Sequence, residues 1–477
     1  MKKRLCGLFC LAISMSFNSH AQTYPFTLPE KITATLSVNT KAKEVFNNKL
    51  ISVNIDWNAA MKNNVGYNHP DAKAFIRAYK PVSIRFPQGV WSNFYDWEVD
   101  ARRRYDDYDN KEFTADIERT KNNKFGFEGF TELHNELKFD VLWTYNVNYD
   151  SEDKTVRRLR DSEAKGFDVT HIELSNENFW GNQRSERVST PEKFTAVAKS
   201  ISAALKAEKP SVKVSIPLSW RRGQDVNPVN HDGYNKILAA DSSYFDAITV
   251  HRYVHLDRFK DTVRQESYQG VLTARLMIAE DVNYCRSLAP GKPVWLSEWG
   301  VSCGYHAASY LGMADAYLYI FENQNIYEYT NWFHLNNYNA FFKYKGDSIT
   351  NIVTCTKTGY GAVYDVLRSV FQDSELLKGE MTTHQLKTGS DAVVAMAATK
   401  NGATTVFAAN KTPQSVVFNL KLDDKSYDDT FTHEAMTFDS LGQDKGYKFE
   451  ENPLNLVKKG RGTITLPPYS VNKISIK

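Results

Sequence analysis

The chain is expected to fold as an α/β protein, a (β/α)8 TIM barrel with an appended all-β sandwich domain. Three observations lead there. Between residues 50 and 371, short β-prone runs alternate with amphipathic helical stretches, the pattern of parallel strands joined by helical crossovers. The runs number eight, which is the barrel number. After about residue 372 the helical periodicity stops, and short strands separated by turns such as Lys400-Asn401-Gly402 take over. A length of 477 residues suits a barrel of about 250–330 residues with a satellite domain.

The eight runs lie at 50–56, 82–86, 139–145, 170–175, 212–216, 247–251, 293–297 and 327–332. The best-marked helix follows the fourth. Thr190 can cap it, Pro191 fits its first turn, and Phe194, Val197, Ala198, Ile201, Ala204 and Leu205 recur at helical spacing. Further helices are expected over 70–79, 126–137, 269–287, 307–323 and 359–371. In the last quarter, 393–397, 404–409, 415–420 and 462–466 read as short strands, and 466–476 resembles the closing strand of a sandwich. Residues 31–38 alternate with period two ahead of the barrel. Residues 24–45 are therefore expected to join 372–477 in a discontinuous sandwich, leaving 46–371 for the barrel.

Bulk properties narrow the setting. A net charge of +3 is too small to argue for nucleic acid or a membrane surface. Lys2, Lys3 and Arg4, the apolar stretch 5–15 and Ser19-His20-Ala21 read as an export signal over residues 1–21. That stretch is too short to span a bilayer, and no other apolar run approaches about 18 residues. The mature protein is expected to be exported, periplasmic or secreted. Removing the signal leaves Cys285, Cys303 and Cys355, enough for at most one disulfide and no CxxC metal cluster. Aromatic residues make up 13% of the chain, which suits either a large core or a site that stacks on the apolar faces of sugar rings.

Two strings carry the chemistry: Ile172-Glu173-Leu174-Ser175-Asn176-Glu177 and Val294-Trp295-Leu296-Ser297-Glu298-Trp299-Gly300. In each, an apolar β-prone run ends at a glutamate, and barrels keep their reactive groups at the C-terminal tips of strands. Two carboxylates facing one another across one opening can cleave a glycosidic bond, one as acid/base and one as nucleophile; a gap beyond about 8 Å would exclude double displacement. Asn176 can hydrogen-bond a sugar hydroxyl beside the scissile centre. Taken alone, Glu177 reads equally well as a surface glutamate at a loop entrance.

The tips together resemble clan A of the glycoside hydrolases, retaining enzymes on a (β/α)8 barrel, and within it the arabinofuranosidase-, glucuronidase- and agarase-like members. The resemblance spans the barrel and the appended β domain. Carried over by position, it implies that Glu177 is the acid/base, Glu298 the nucleophile and Asn176 the 2-hydroxyl ligand. Ser83-Ile84-Arg85-Phe86-Pro87-Gln88-Gly89 resembles the second-strand arginine motif, in which Arg85 keeps the nucleophile ionised. Val250-His251-Arg252-Tyr253 resembles the sixth tip, which implies a hydrogen bond from Tyr253 to the nucleophile. Trp332, ending the eighth strand, matches the aromatic floor under the reacting sugar. Gln88 and Ser175 depart from the arabinofuranosidase-like pattern, so subfamily and substrate stay open.

Trp180 and Trp220 follow the fourth and fifth strands and are expected, with His251, to bind substrate. Arg102, Arg103, Arg104, Arg184, Arg187, Arg221 and Arg222 also follow strand tips, and arginine forks grip sulfate or carboxylate groups. They suggest an acidic glycan such as a sulfated algal polysaccharide; pairing with acids such as Asp100 and Asp106 is the plainer alternative. His251 and His255 lack an HExxH partner, Cys303 sits near Glu298 without thiol machinery, and phosphate-binding glycine loops are missing, so no cofactor or metal is expected. The expected activity is retaining hydrolysis of a polysaccharide or oligosaccharide, endo-acting, with an exo-glycosidase or a non-catalytic glycan-binding barrel as alternatives.

Overall fold

Eight parallel strands close into a barrel in the computed structural model of the chain, which describes residues 24–55, 66–103, 111–220, 231–255, 265–334, 340–346, 353–442, 454 and 456–476. In chain order the barrel strands are Ser52–Asn54, Ser83–Phe86, Asp140–Tyr145, His171–Leu174, Lys213–Leu218, Ala247–His255, Val294–Ser302 and Tyr327–Trp332. Each pairs with its sequence neighbours, and the eighth closes on the first through Asn331 with Ser52 and Trp332 with Val53. All eight expected runs are barrel strands. The proposed export signal, Arg104, Arg221, Arg222 and the side chains of His255 and Cys355 lie outside the described residues.

The sixth and seventh strands outrun their expected ends. They continue to His255 and Ser302 because they pair with each other beyond the barrel mouth, Val254 opposite Val301 and His255 opposite Ser302. Their ladder slips between Trp295 and Glu298. Such an irregularity re-aims side chains at a strand end. Here it sets Glu298 level with His251, and Gly300 level with Tyr253.

Side-chain caps open four of the described α-helices. The Thr190 hydroxyl accepts the Lys193 amide, and Pro191 opens the helix Pro191–Glu208. The expected helix over 269–287 is two, Gln265–Leu272 and Ala274–Leu288, divided at the non-helical Thr273. Glu152–Ala164 carries a weak apolar signal because its buried face is made of Thr155, Arg158, Leu159 and Ser162. Only Leu159 of these is a conventional core residue, so periodicity misses the helix.

The appended β domain is one ten-stranded sheet that curls over its own core, so the two faces of the expected sandwich belong to one hydrogen-bonded sheet. The strand Thr33–Val45 pairs antiparallel with Glu375–Thr383 and parallel with Val416–Leu422, which brings the two ends of the described chain into one sheet. The helix Ala307–Glu322 is buried on nearly every side because it lies between barrel and sheet. There Asp315 accepts from Lys411 at 2.8 Å and Arg275 at 2.6 Å, so a satisfied ion cluster joins the two units.

Candidate active site

The barrel's C-terminal mouth draws Arg85, Asn176, Glu177, His251, Tyr253 and Glu298 into one cluster. Arg85 is its centre. Its Nε donates to Glu173 at 2.5 Å, Nη1 to Glu298 Oε1 at 2.5 Å, and Nη2 to Asn176 Oδ1 at 2.9 Å. The other oxygen of Glu298 accepts the Tyr253 hydroxyl at 2.8 Å. Glu177 Oε1 lies 2.9 Å from His251 Nδ1, and Oε2 accepts from Gln183 Nε2 at 3.0 Å. His251 Nδ1 is also 3.6 Å from Glu298 Oε2, and its Nε2 is 3.1 Å from the Ser297 hydroxyl. One oxygen of each carboxylate and one His251 nitrogen all fall within 4.8 Å of one another.

Backbone strain shapes the fourth tip. Ser175 and Glu177 have φ values of 75° and 41°, a region that costs non-glycine residues about 1–3 kcal/mol each. Asn93 holds the turn in place. Its Oδ1 accepts the Asn176 amide at 3.0 Å and its Nδ2 donates to the Asn176 carbonyl at 2.8 Å. Gln183 Oε1 accepts from Asn176 Nδ2 at 3.0 Å, so one glutamine aligns the Asn-Glu pair from behind. At the second tip Gly89 has φ 62° and ψ −165°, a pair open only to glycine, and it passes beside Glu298 and Phe333.

The cluster sorts its charges. Burial by itself would push the Glu177 carboxyl up, but the hydrogen bond and charge of His251, joined by Gln183 and Arg85, hold it below the usual carboxylate range. Burial would likewise push His251 down, yet the charge of Glu298 and then the contact with Glu177 outweigh it, and the imidazole stands above its ordinary value. The three converging donor atoms could meet one ion. A cation there would displace contacts already made: Arg85 and Tyr253 hold Glu298, and Gln183 and His251 hold Glu177.

Several expected substrate ligands turn out otherwise. The His251 side chain is only 1% exposed with both ring nitrogens engaged, so it contacts the carboxylates rather than the cleft. Arg85, with 0% side-chain exposure, serves the three carboxylate and amide partners in the same way. Trp332 is fully buried, packed on Trp299 at 4.9 Å and Phe341 at 5.5 Å, and offers no open ring face. The next residue, half-buried Phe333, reaches the cleft instead, 5.5 Å from the Tyr253 ring. Trp180 and Trp220 meet each other at 6.1 Å and His231 at 4.9 Å from Trp180, forming an aromatic wall after the fourth and fifth tips. Trp180 is half-buried and its amide donates to the Glu177 carbonyl at 2.9 Å.

The four described arginines of the expected anion-binding set all have partners within the protein, and only Arg102 is buried. Arg102 is buried against the Trp91 ring, Arg103 pairs with Asp96 at 2.5 Å, and Arg184 and Arg187 bond backbone carbonyls. Cys285 and Cys303 are free, buried thiols, and burial pushes the Cys303 thiol up to about 12. Glu173, Asn93, Gln183, Ser297 and Phe333 are members of the site that sequence reasoning missed. Glu173 alone left a signal, a charge inside a β-prone run where a barrel interior should be apolar.

The fold has many relatives of known structure. The GH51 arabinofuranosidase from Xanthomonas axonopodis pv. citri superposes with a TM-score of 0.70 at 13% identity, covering 94% of this chain and 100% of its own. The α-L-arabinofuranosidase from Thermotoga maritima gives 0.68 at 12% identity, over 94% and 100%. A Paenibacillus polymyxa xyloglucanase from GH family 44 gives 0.62 at 12% identity, over 93% and 99%. No protein-family profile and no curated protein matches the chain. The likeness is one of fold: a TIM barrel with an appended β domain, laid out as in these glycoside hydrolases.

Proposed function

We propose that the protein is a retaining glycoside hydrolase that cleaves a polysaccharide by double displacement, with Glu298 as nucleophile and Glu177 as acid/base. One observation carries this reading: oxygens of the two carboxylates approach within 4.8 Å at the tips of the fourth and seventh strands. Retaining chemistry asks for carboxyl groups about 5–5.5 Å apart, whereas inversion needs room for a water, about 6.5–9.5 Å. The partners divide the roles. Glu298, bound by Arg85 and the Tyr253 hydroxyl, is fixed for attack. Glu177 is bound by His251, which can exchange a proton, and by the Gln183 amide, which donates a hydrogen bond. Tyr253 is partly exposed beside Glu298, whereas Asn176, the expected 2-hydroxyl ligand, is buried with its amide held by Arg85 and Gln183.

Aromatic surface on both sides of the pair supports endo action: Trp180 stands beyond Glu177, and Phe333 lies beside Glu298. The arabinofuranosidase neighbours favour the exo alternative, which would release one sugar at a time. An acidic or sulfated substrate would rest on the exposed Arg103 or on arginines outside the described residues, since Arg102 is buried and Arg184 and Arg187 bond backbone carbonyls. Export follows from the N-terminal signal pattern. A panel of sulfated, desulfated and neutral polysaccharides tests all of this. A ladder of oligomers from a neutral or acidic polymer supports endo action, a single released sugar supports exo action, and no release from any glycan removes the reading.

A further inference from the structure

A carboxylate held ionised at rest has no proton to give a leaving oxygen. The surroundings of Glu177 favour that state, and the nearest group favouring it is His251, at 2.9 Å. The imidazole is sealed from water and touches both carboxylates, with Nδ1 3.6 Å from Glu298. Its far side is pinned by Ser297. We propose that His251 is the proton store of the pair: the proton destined for the leaving oxygen waits on the imidazolium and crosses to Glu177 as Glu298 gives up its charge to the sugar. This rests on the roles proposed above for Glu177 and Glu298.

The step balances. The Nδ1–H bond breaks and an O–H bond forms on Glu177. That bond breaks in turn as the leaving oxygen takes the proton together with the electron pair of the C–O bond. A Glu298 oxygen bonds the anomeric carbon. One imidazolium and one carboxylate are consumed together, so the net charge of the site is unchanged. In the second half, water attacks the anomeric carbon and gives a proton to Glu177, which returns it to His251 while Glu298 regains its charge.

The charges around His251 supply the direction. Two carboxylates face it, Glu177 beyond the fourth strand and Glu298 on the seventh, and one cation, Arg85 on the second, opposes the imidazolium. Glu298 gives the larger charge support. Esterification removes that support and leaves Arg85 in place, so the imidazolium becomes acidic at the moment its proton is needed.

Nitrogen-15 NMR of the imidazole, in the full chain and in Glu298→Gln, reads the store without any substrate. His251→Gln identifies the resonance. At about pH 6–7 the wild type should show an imidazolium and Glu298→Gln a neutral ring. A neutral ring in the wild type, or no change on substitution, overturns the proposal. Kinetics give the second arm, comparing a 2,4-dinitrophenyl glycoside with an unactivated oligosaccharide of the same sugar. His251→Gln and His251→Asn should lose about 100-fold in kcat/KM on the oligosaccharide, and stay within about 3-fold on the dinitrophenyl glycoside, which needs no proton to leave. Equal losses on both indicate a structural defect and overturn it. A wild type that cleaves no glycoside, with the NMR response intact, would instead remove the glycosidase reading.

Discussion

The Glu173 carboxylate meets the Arg85 guanidinium at 2.5 Å with neither side chain exposed. Thr144 and Thr249 donate to the same carboxylate at 3.0 and 3.1 Å, so both Glu173 oxygens are engaged and the residue serves as the fixed anchor of Arg85. A buried cation that loses one of two anions is left undercompensated, at a cost of about 3–5 kcal/mol. Glu173→Ala should lower the urea unfolding free energy by that amount. Arg85→Lys should not restore activity to the level of arginine, because an ammonium cannot hold three partners in one plane. A Glu173→Ala protein within about 1 kcal/mol of wild type would show that Thr144 and Thr249 can hold the layer without it.

The two carboxylates should fail differently. Glu298→Gln is expected to abolish turnover and covalent labelling by a 2-fluoroglycoside, because no nucleophile remains. Glu177→Ala should keep glycosylation from an activated substrate and recover turnover when azide is added, since azide replaces the water that a base would activate. Wild-type turnover by Glu177→Ala on an unactivated substrate would reassign that residue.

Asn93 touches neither carboxylate and Gln183 touches only Oε2 of Glu177, and together they set the pose of Asn176 and Glu177. Gln183→Ala should lower kcat by about 10–100-fold through misplacement of Glu177, with a smaller effect on KM. Asn93→Ala strands two backbone groups of a buried turn and should cost about 2–3 kcal/mol of stability as well. Steady-state kinetics beside urea melts separate the two effects.

Neighbouring aromatic residues at the eighth tip should also separate. Trp332→Ala empties a packed core site and should destabilise by about 3–5 kcal/mol. Phe333→Ala should leave the melt near wild type and raise KM, because its ring faces the cleft. Reversed results would return the floor of the site to Trp332.

At the opposite end of the barrel, Glu328 accepts from Lys213 at 2.5 Å and Trp295 Nε1 at 2.9 Å, with His171 at 3.1 Å. Burial alone would raise this carboxyl, but these partners, His171 foremost, bring it down to about 2. A depressed carboxylate stabilises the fold fully above its unfolded value, near 4.3, and that contribution fades as pH falls toward 2. After allowance for partial exposure, Glu328→Gln should cost about 1–2 kcal/mol at pH 7 and much less near pH 2. Thermal melts across that window would test it; an equal loss at both pH values would point to packing instead.

The barrel was legible because its strands and helices announce themselves locally. Val141, Leu142 and Trp143 can form little but a buried strand, and Thr190-Pro191 can only open a helix. Helices with charged buried faces escaped, because Arg158 and Ser162 look like surface residues until their partners are known. The glutamates at 177 and 298 were visible for the same local reason, each being a polar stop to an apolar run.

What sequence determined by itself, then, was the order of elements and which residues stand at the strand tips. Tertiary structure decided which of those tips converge and which atoms are already taken. Closure of the barrel placed His251 between two carboxylates, turned Arg85 toward Glu173, and buried Trp332 while opening Phe333 to the cleft. Such outcomes depend on distances between residues far apart in the chain, set by strand register and packing, and no local pattern encodes them.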